Sequence, residues 1–219
     1  MVEVYDSHEQ SERVKNWLQE NGGAIVLGLV LAFGGLFGFK QWQNWQANQD
    51  RRASAEYEVL VDLIEAGQMD EAVANYQTLS SDFEDSPYAA LASLQMAGAR
   101  IEASQDELAE GLLEHAMRHA KPEPLRTVAR LRLARVKLDL GKADEALALL
   151  EGAPSEAGFE ALFAEIRGDI AYSEGRLSEA ADQYRLALDS LEAGTGNRAY
   201  LEVKLESAEV AGSGEGEAS

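Results

Sequence analysis

Two stretches decide the fold: VARLRLARVKLDLGKADEALALLEGAP, residues 128–154, and LFAEIRGDIAYSEGRLSEAADQYRLAL, residues 162–188. Laid one on the other, they agree in the residues that govern helix packing. Ala134 aligns with Gly168, Gly141 with Gly175, Ala146 with Ala180, Leu150 with Tyr184 and Ala153 with Ala187, each pair 34 residues apart. The physical reading is close approach of two helices. Ala134 or Gly168 on a first helix must meet Ala146 or Ala180 on a second, and a larger side chain would push the pair apart. Gly141 or Gly175 ends the first helix in the left-handed conformation of a C-cap. Leu150 or Tyr184 then fills the groove to the next unit.

A period of this length is that of the tetratricopeptide repeat, a helix–turn–helix unit that stacks into a solenoid. Two weaker copies precede the pair. AEYEVLVDLIEAGQMDEAVANYQTL places Gly67, Ala72 and Tyr76 where Gly141, Ala146 and Leu150 stand. LASLQMAGARIEASQDELAEGLLEHAMRHA places Ala97, Ala109, Leu113 and Ala116, but has Ser104 at the glycine position. The steps Ala72 to Ala109 and Ala109 to Ala146 are both 37 residues, so longer loops are expected around Asp85-Ser86-Pro87 and Lys121-Pro122-Glu123-Pro124. The chain therefore reads as all-α, with about four helix pairs over residues 53–209. A stack needs its last apolar face hidden. Residues 197–209 offer Tyr200, Leu201, Val203 and Leu205 for a C-terminal capping helix, and residues 210–219 read as an unstructured acidic tail.

Ahead of the repeats lies GGAIVLGLVLAFGGLFGF, residues 22–39, 18 residues without a charge. At about 1.5 Å per residue it spans roughly 27 Å as a helix, close to a bilayer core of about 30 Å. Trp17 precedes it, and Trp42 and Trp45 follow, where an aromatic belt belongs. The alternatives are a buried core helix and a cleaved signal peptide. The second fits poorly: residues 1–21 carry five carboxylates against Arg13 and Lys15, and the nearest A-x-A, Ala53-Ser54-Ala55, lies far downstream. The expected organisation is a tail over 1–21, a single transmembrane anchor over 22–39, a juxtamembrane linker over 40–52, and then the repeats. Within the anchor, Ala24, Gly28 and Ala32 recur at every fourth position, with Gly35 beyond them, and Gly34 and Gly38 form a GxxxG. Such residues let a second helix approach closely, whether from another copy or another protein. Lys40, Arg51 and Arg52 after the stretch nearly balance the two cations before it, so charge does not orient it.

Composition limits the chemistry. Apolar residues at 46% with 26% charged residues mark a folded chain. There is no cysteine, which removes disulfides, thiol nucleophiles and thiolate metal sites. The formal charge is −20, and residues 53–219 hold 14 Lys and Arg against 33 Asp and Glu. Nucleic acid needs a basic footprint, so protein or membrane partners are favoured. His115 and His119 stand one turn apart but lack the glutamate of HExxH, and read as two solvent-facing histidines. No phosphate loop or GxSxG elbow is present. The chain reads as no enzyme and implies no cofactor or metal. The candidate binding face is the groove formed by the first helices. The repeat phase puts there Tyr57, Val61 and Ile64, then Leu94 and Ile101, then Leu131, Arg135 and Leu138, then Asp169 and Tyr172. An apolar groove signals a partner; alternatively, the chain's own capping helix closes it.

SERVKNWLQENGGAIVLGLVLAFGGLFGFKQWQNWQ resembles the N-terminal anchor of the YfgM family of bacterial inner-membrane proteins. The RLRLAR and RGD stretches resemble that family's repeat segments, and YLEVKLESA its closing helix, without the usual MKLDDL. The resemblance implies a single-pass type II inner-membrane protein with a cytoplasmic tail and a periplasmic repeat domain. It further implies association with the SecYEG translocon and the chaperone PpiD, on secretory proteins leaving the channel, and a link of the tail to stress signalling. Competing readings are a scaffold of another envelope complex without clients, and a self-assembling protein dimerised through Gly34 and Gly38.

Overall fold

A computed structural model describes residues 7–151, 158–191 and 198–217. Among them are nine helices and no strand: α1 (Ser7–Glu65), α2 (Met69–Asp82), α3 (Pro87–Glu102), α4 (Asp106–His119), α5 (Glu123–Asp139), α6 (Ala143–Leu150), α7 (Glu160–Ser173), α8 (Leu177–Ser190) and α9 (Arg198–Glu217). The chain divides into two units, Met1–Arg51 and Arg52–Ser219.

In the first unit, the residues expected to be a linker, 40–52, are helical, because nothing from Lys40 to Arg52 breaks a helix: the run holds no proline or glycine. Among the described residues no single straight helix is long and apolar enough to cross a membrane. The segments Lys15–Ala24 and Val26–Glu65, bent by 45° to one another, meet that test together. The bend follows Gly22-Gly23, a pair that weakens a helix where it stands. Leu27, Leu31, Phe33, Leu36 and Phe37 are all exposed. A Cβ built on Gly28, Gly34, Gly35 or Gly38 would meet nothing within 4 Å.

The second unit is built from the repeat. In each of the four pairs the first helix ends in the same turn. Gly67, Gly141 and Gly175 sit at φ +72°, +73° and +75°. The amide of Gly141 donates to Leu138 O and that of Lys142 to Lys137 O, at 2.9 and 2.8 Å. Gly67 with Gln68, and Gly175 with Arg176, repeat the pattern, which is a Schellman cap. Ser104, at the glycine position of the second pair, makes the same two bonds at φ 55°. The longer loop before α3 ends in an N-cap, Ser86 Oγ accepting from Tyr88 N, with Pro87 opening the helix.

Four cores follow, each shared by three consecutive helices. Ala53 and Leu60 of α1 join Ala72 and Leu79 of α2 and Ala92 and Met96 of α3. Leu94, Leu113 and Leu133 join α3, α4 and α5; Leu131, Leu150 and Ile166 join α5, α6 and α7; Ala171, Tyr184 and Leu201 join α7, α8 and α9. No pair completes a core alone, so each unit depends on its neighbour. The first helices α3, α5 and α7 also touch one another directly, forming one layer.

Three local expectations are corrected. Gly168 is required by Tyr184 rather than by Ala180: a Cβ there would stand 2.5 Å from the ring. Tyr184 shares its core with Leu201 and Ala208 of α9, and its hydroxyl donates to Asp169 of its own pair, at 2.9 Å. In α9, Leu201 and Ala208 are buried, whereas Tyr200 and Val203 are exposed; the buried face repeats at 201, 205 and 208. That helix also continues through the expected tail to Glu217. Ala153 lies outside the described residues.

Candidate protein-interaction face

The ten residues expected in a groove on the first helices divide into four groups. Leu94 and Leu131 are buried in the cores and offer nothing to a partner, because the first helices turn these positions toward their neighbours. Tyr57, Ile64 and Leu138 are half-buried against the cores, and Tyr57 leans on Tyr88 with ring centroids 5.9 Å apart. Val61 is likewise half-buried. Ile101 and Tyr172 remain open, at 39% and 41% exposure.

Arg135 and Asp169 belong to a polar network that the repeat phase did not reveal. Lys204 of α9 reaches across to α7, donating to Glu165 Oε1 at 2.8 Å and to Asp169 Oδ1 and Oδ2 at 2.7 and 2.8 Å. Arg135 of α5 pairs with the other oxygen of Glu165 at 3.3 Å. Lys204 also lies over the Tyr200 ring, 4.7 Å from its centroid. Burial works against the Lys204 ammonium, and the bonds from Asp169 and Glu165 more than offset it, so its pKa is raised. Burial, with the Asp169 charge, pushes the Tyr184 hydroxyl up and keeps it a neutral donor. The capping helix is thus tied to α7 by ion pairing. Beside these ion pairs is a cleft of about 320 Å³ between α5, α7 and α9, walled by Leu138 and Tyr200 and edged by Asp139. Desolvation and the charges of Asp106 and Asp169 push the Asp139 carboxyl up, against Arg135.

Two further clusters escaped the sequence reading. Lys137, only 6% exposed, donates to Glu110 and Glu145 at 2.6 and 2.7 Å, while Lys142 binds the second oxygen of Glu110 at 2.7 Å. Burial opposes the Lys137 charge, but the two carboxylates outweigh it; Glu110 in turn is held below the usual carboxylate range by hydrogen bonds from Lys137 and Lys142. The available signal was the repeat alignment, which sets Lys137 against Ala171. The histidines are not both solvent-facing. His115 is half-buried, 3.3 Å from Ser93 Oγ, which also meets the Tyr76 hydroxyl at 3.1 Å. His119 stacks on it at 4.4 Å and pairs with Glu84 at 3.0 Å. Among the described residues no three His, Asp or Glu side chains gather as a metal site.

Four helix pairs with the same capped turn, stacked through shared cores, define a tetratricopeptide-repeat-like interaction domain. The family model described as "Tetratricopeptide repeat-like domain" matches residues 15–210. The chain belongs to this family, and within it to the group whose members are named "Ancillary SecYEG translocon subunit". It is 32% identical to the Escherichia coli K12 member over 190 residues, 86% of this chain and 91% of that one. It is 30% identical to the Neisseria gonorrhoeae member over 211 residues, 94% and 99% of the two chains. A solved thermophilic TPR protein of Thermus thermophilus matches with TM-score 0.48 and 24% identity, over 90% of this chain and 98% of that one.

Proposed function

We propose that this protein is a membrane-anchored interaction module, an ancillary subunit of the SecYEG translocon. Residues 22–39 cross the bacterial inner membrane once, with the preceding residues in the cytoplasm and the repeat domain in the periplasm. There it works with a PpiD-like chaperone on emerging secretory proteins. The observation that carries the reading is the near end-to-end match to relatives bearing the translocon name, which spans the apolar stretch as well as the repeats. The exposed apolar side chains of that stretch and the open groove residues Ile101 and Tyr172 support it. The repeat fold is one of binding rather than catalysis. Ala24, Gly28, Ala32, Gly34, Gly35 and Gly38 form the contact strip for a neighbouring membrane helix. Anchoring raises the concentration of the groove at the channel exit, so modest affinity suffices.

The test is a pull-down from crosslinked membranes through a C-terminal tag, with every recovered protein identified. Translocon subunits together with a periplasmic chaperone are the expected recovery. One other envelope complex, or the protein alone, would overturn the assignment.

A further inference from the structure

We propose that the cleft between α5, α7 and α9 docks a basic, apolar-flanked segment of a partner protein, with a lysine or arginine head beside Asp139 and its aliphatic stem on Leu138 and Tyr200. The inference rests on the reading of this layer as the interaction face and names the chemistry of its occupant. Five ionised side chains line the cleft: Arg135, Asp139, Glu165, Asp169 and Lys204. Both cations are already committed, Lys204 to Glu165 and Asp169, Arg135 to Glu165. Asp139 is the anion left over; among the described residues no cation stands within ion-pair distance of it. The nearby charges of Asp106 and Asp169 add to its field. Beside these charges, Leu138 and Tyr200 give the cleft one aliphatic and one aromatic wall, and Tyr172, at 41% exposure, stands on the same helix layer.

Such a surface accepts the long methylene stem of a lysine or arginine while its head meets the carboxylate. A second copy of this chain is disfavoured as the occupant, because the repeat domain carries 33 Asp and Glu against 14 Lys and Arg and two copies repel as a whole. An acidic segment is repelled for the same reason. The cleft is large enough for one side chain with its neighbours, so it selects a residue within a longer docked segment.

The experiment uses the full chain in detergent and three short labelled peptides with the same leucine and tyrosine positions. Their remaining positions are lysine, glutamine or glutamate. Fluorescence anisotropy is expected to give the lysine peptide about tenfold tighter binding than the glutamine peptide, with the glutamate peptide weakest. The D139N chain is expected to lose about fivefold in affinity for the lysine peptide and nothing for the glutamine peptide. The E107Q chain, altered at an exposed carboxylate on α4, controls for general attraction between an acidic protein and a basic peptide, and should match the wild type. L138S should weaken both peptides. Absence of lysine-peptide binding, equal binding of the three peptides, or a D139N chain that behaves like E107Q would overturn the inference. So would a dimer of the full chain that dissociates on D139N, which would make the occupant a second copy. A wild-type chain that keeps the lysine preference but recovers no translocon subunits from membranes would overturn the proposed function alone.

Discussion

The turn residue of the second pair shows how a local rule and its exception are both legible. Three glycines hold φ near +70°, and Ser104 holds +55° in the same hydrogen-bonded turn. A side chain in that region costs about 1 kcal/mol relative to glycine. Ser104→Gly should therefore stabilise the domain by up to about 1 kcal/mol, and Gly141→Ala should cost about as much, both read by chemical denaturation. The sequence places these four turns correctly because a left-handed cap has few solutions. It places Gly168 correctly and explains it wrongly. The alignment predicts a helix–helix approach through alanines, whereas the glycine makes room for the Tyr184 ring. Where the third pair has Leu150 against Ala134, the fourth has the larger tyrosine against the smaller glycine. Gly168→Ala should cost about 2 kcal/mol, and Tyr184→Leu in the same chain should recover part of that. Full additivity of the two would refute the contact.

His115 carries a pH prediction. Its ordinary pKa is 6.5, and burial, followed by the charges of His119 and Arg118, lowers it in the folded protein, against Glu84. The folded state then binds fewer protons than the unfolded one, so stability is full above the unfolded value and is lost as pH falls through the folded one. His115→Gln should flatten the fall in stability between about pH 7 and pH 5, measured by denaturant midpoints at several pH values. An unchanged slope would mean that the ring titrates alike in both states. None of this was visible in the spacing of two histidines. The burial depends on Ser93, 22 residues away in sequence and opposite in space.

At the level of the element, α9 is the part read least well. Its existence follows from the need to cover a last apolar face, but its orientation does not. Tyr200 and Val203 are as apolar as Leu201 and Leu205, so composition alone leaves two faces available. What selects one is Lys204, whose partners lie 35 and 39 residues earlier on α7. Lys204→Ala would leave Glu165 with Arg135 as its ion-pair partner and Asp169 without the ammonium it now binds. It should cost about 2 kcal/mol and loosen α9 specifically. The check is hydrogen exchange across residues 198–210, which should accelerate while α3 to α5 stay protected. Lys204→Arg should restore part of the protection.

Across the whole molecule, the order of elements and the placement of cores follow from period and from the apolar run. The polar networks do not, since a carboxylate on a helix surface reads the same whether it faces water or a buried lysine. The relatives cover both the apolar stretch and the repeats, so the two units have travelled as one protein in that group. Because each core is shared only with its neighbours, stability should vary along the solenoid rather than be uniform. Native-state hydrogen exchange should rank α9 as least protected and α5 with α7 as most protected. A single common rate for all helices would contradict the shared-core arrangement.

The last of those cores has a bearing on how the protein is made. Ala171 and Tyr184 share that core with Leu201 and Ala208 of α9, the last described helix in chain order. A ribosome delivers those residues after α1 to α8 have been made. A chain that stopped before α9 would therefore present the apolar face of α7 and α8 to proteases and holdases. Until α9 is made, the last helix pair of the solenoid has no cover for its own apolar face.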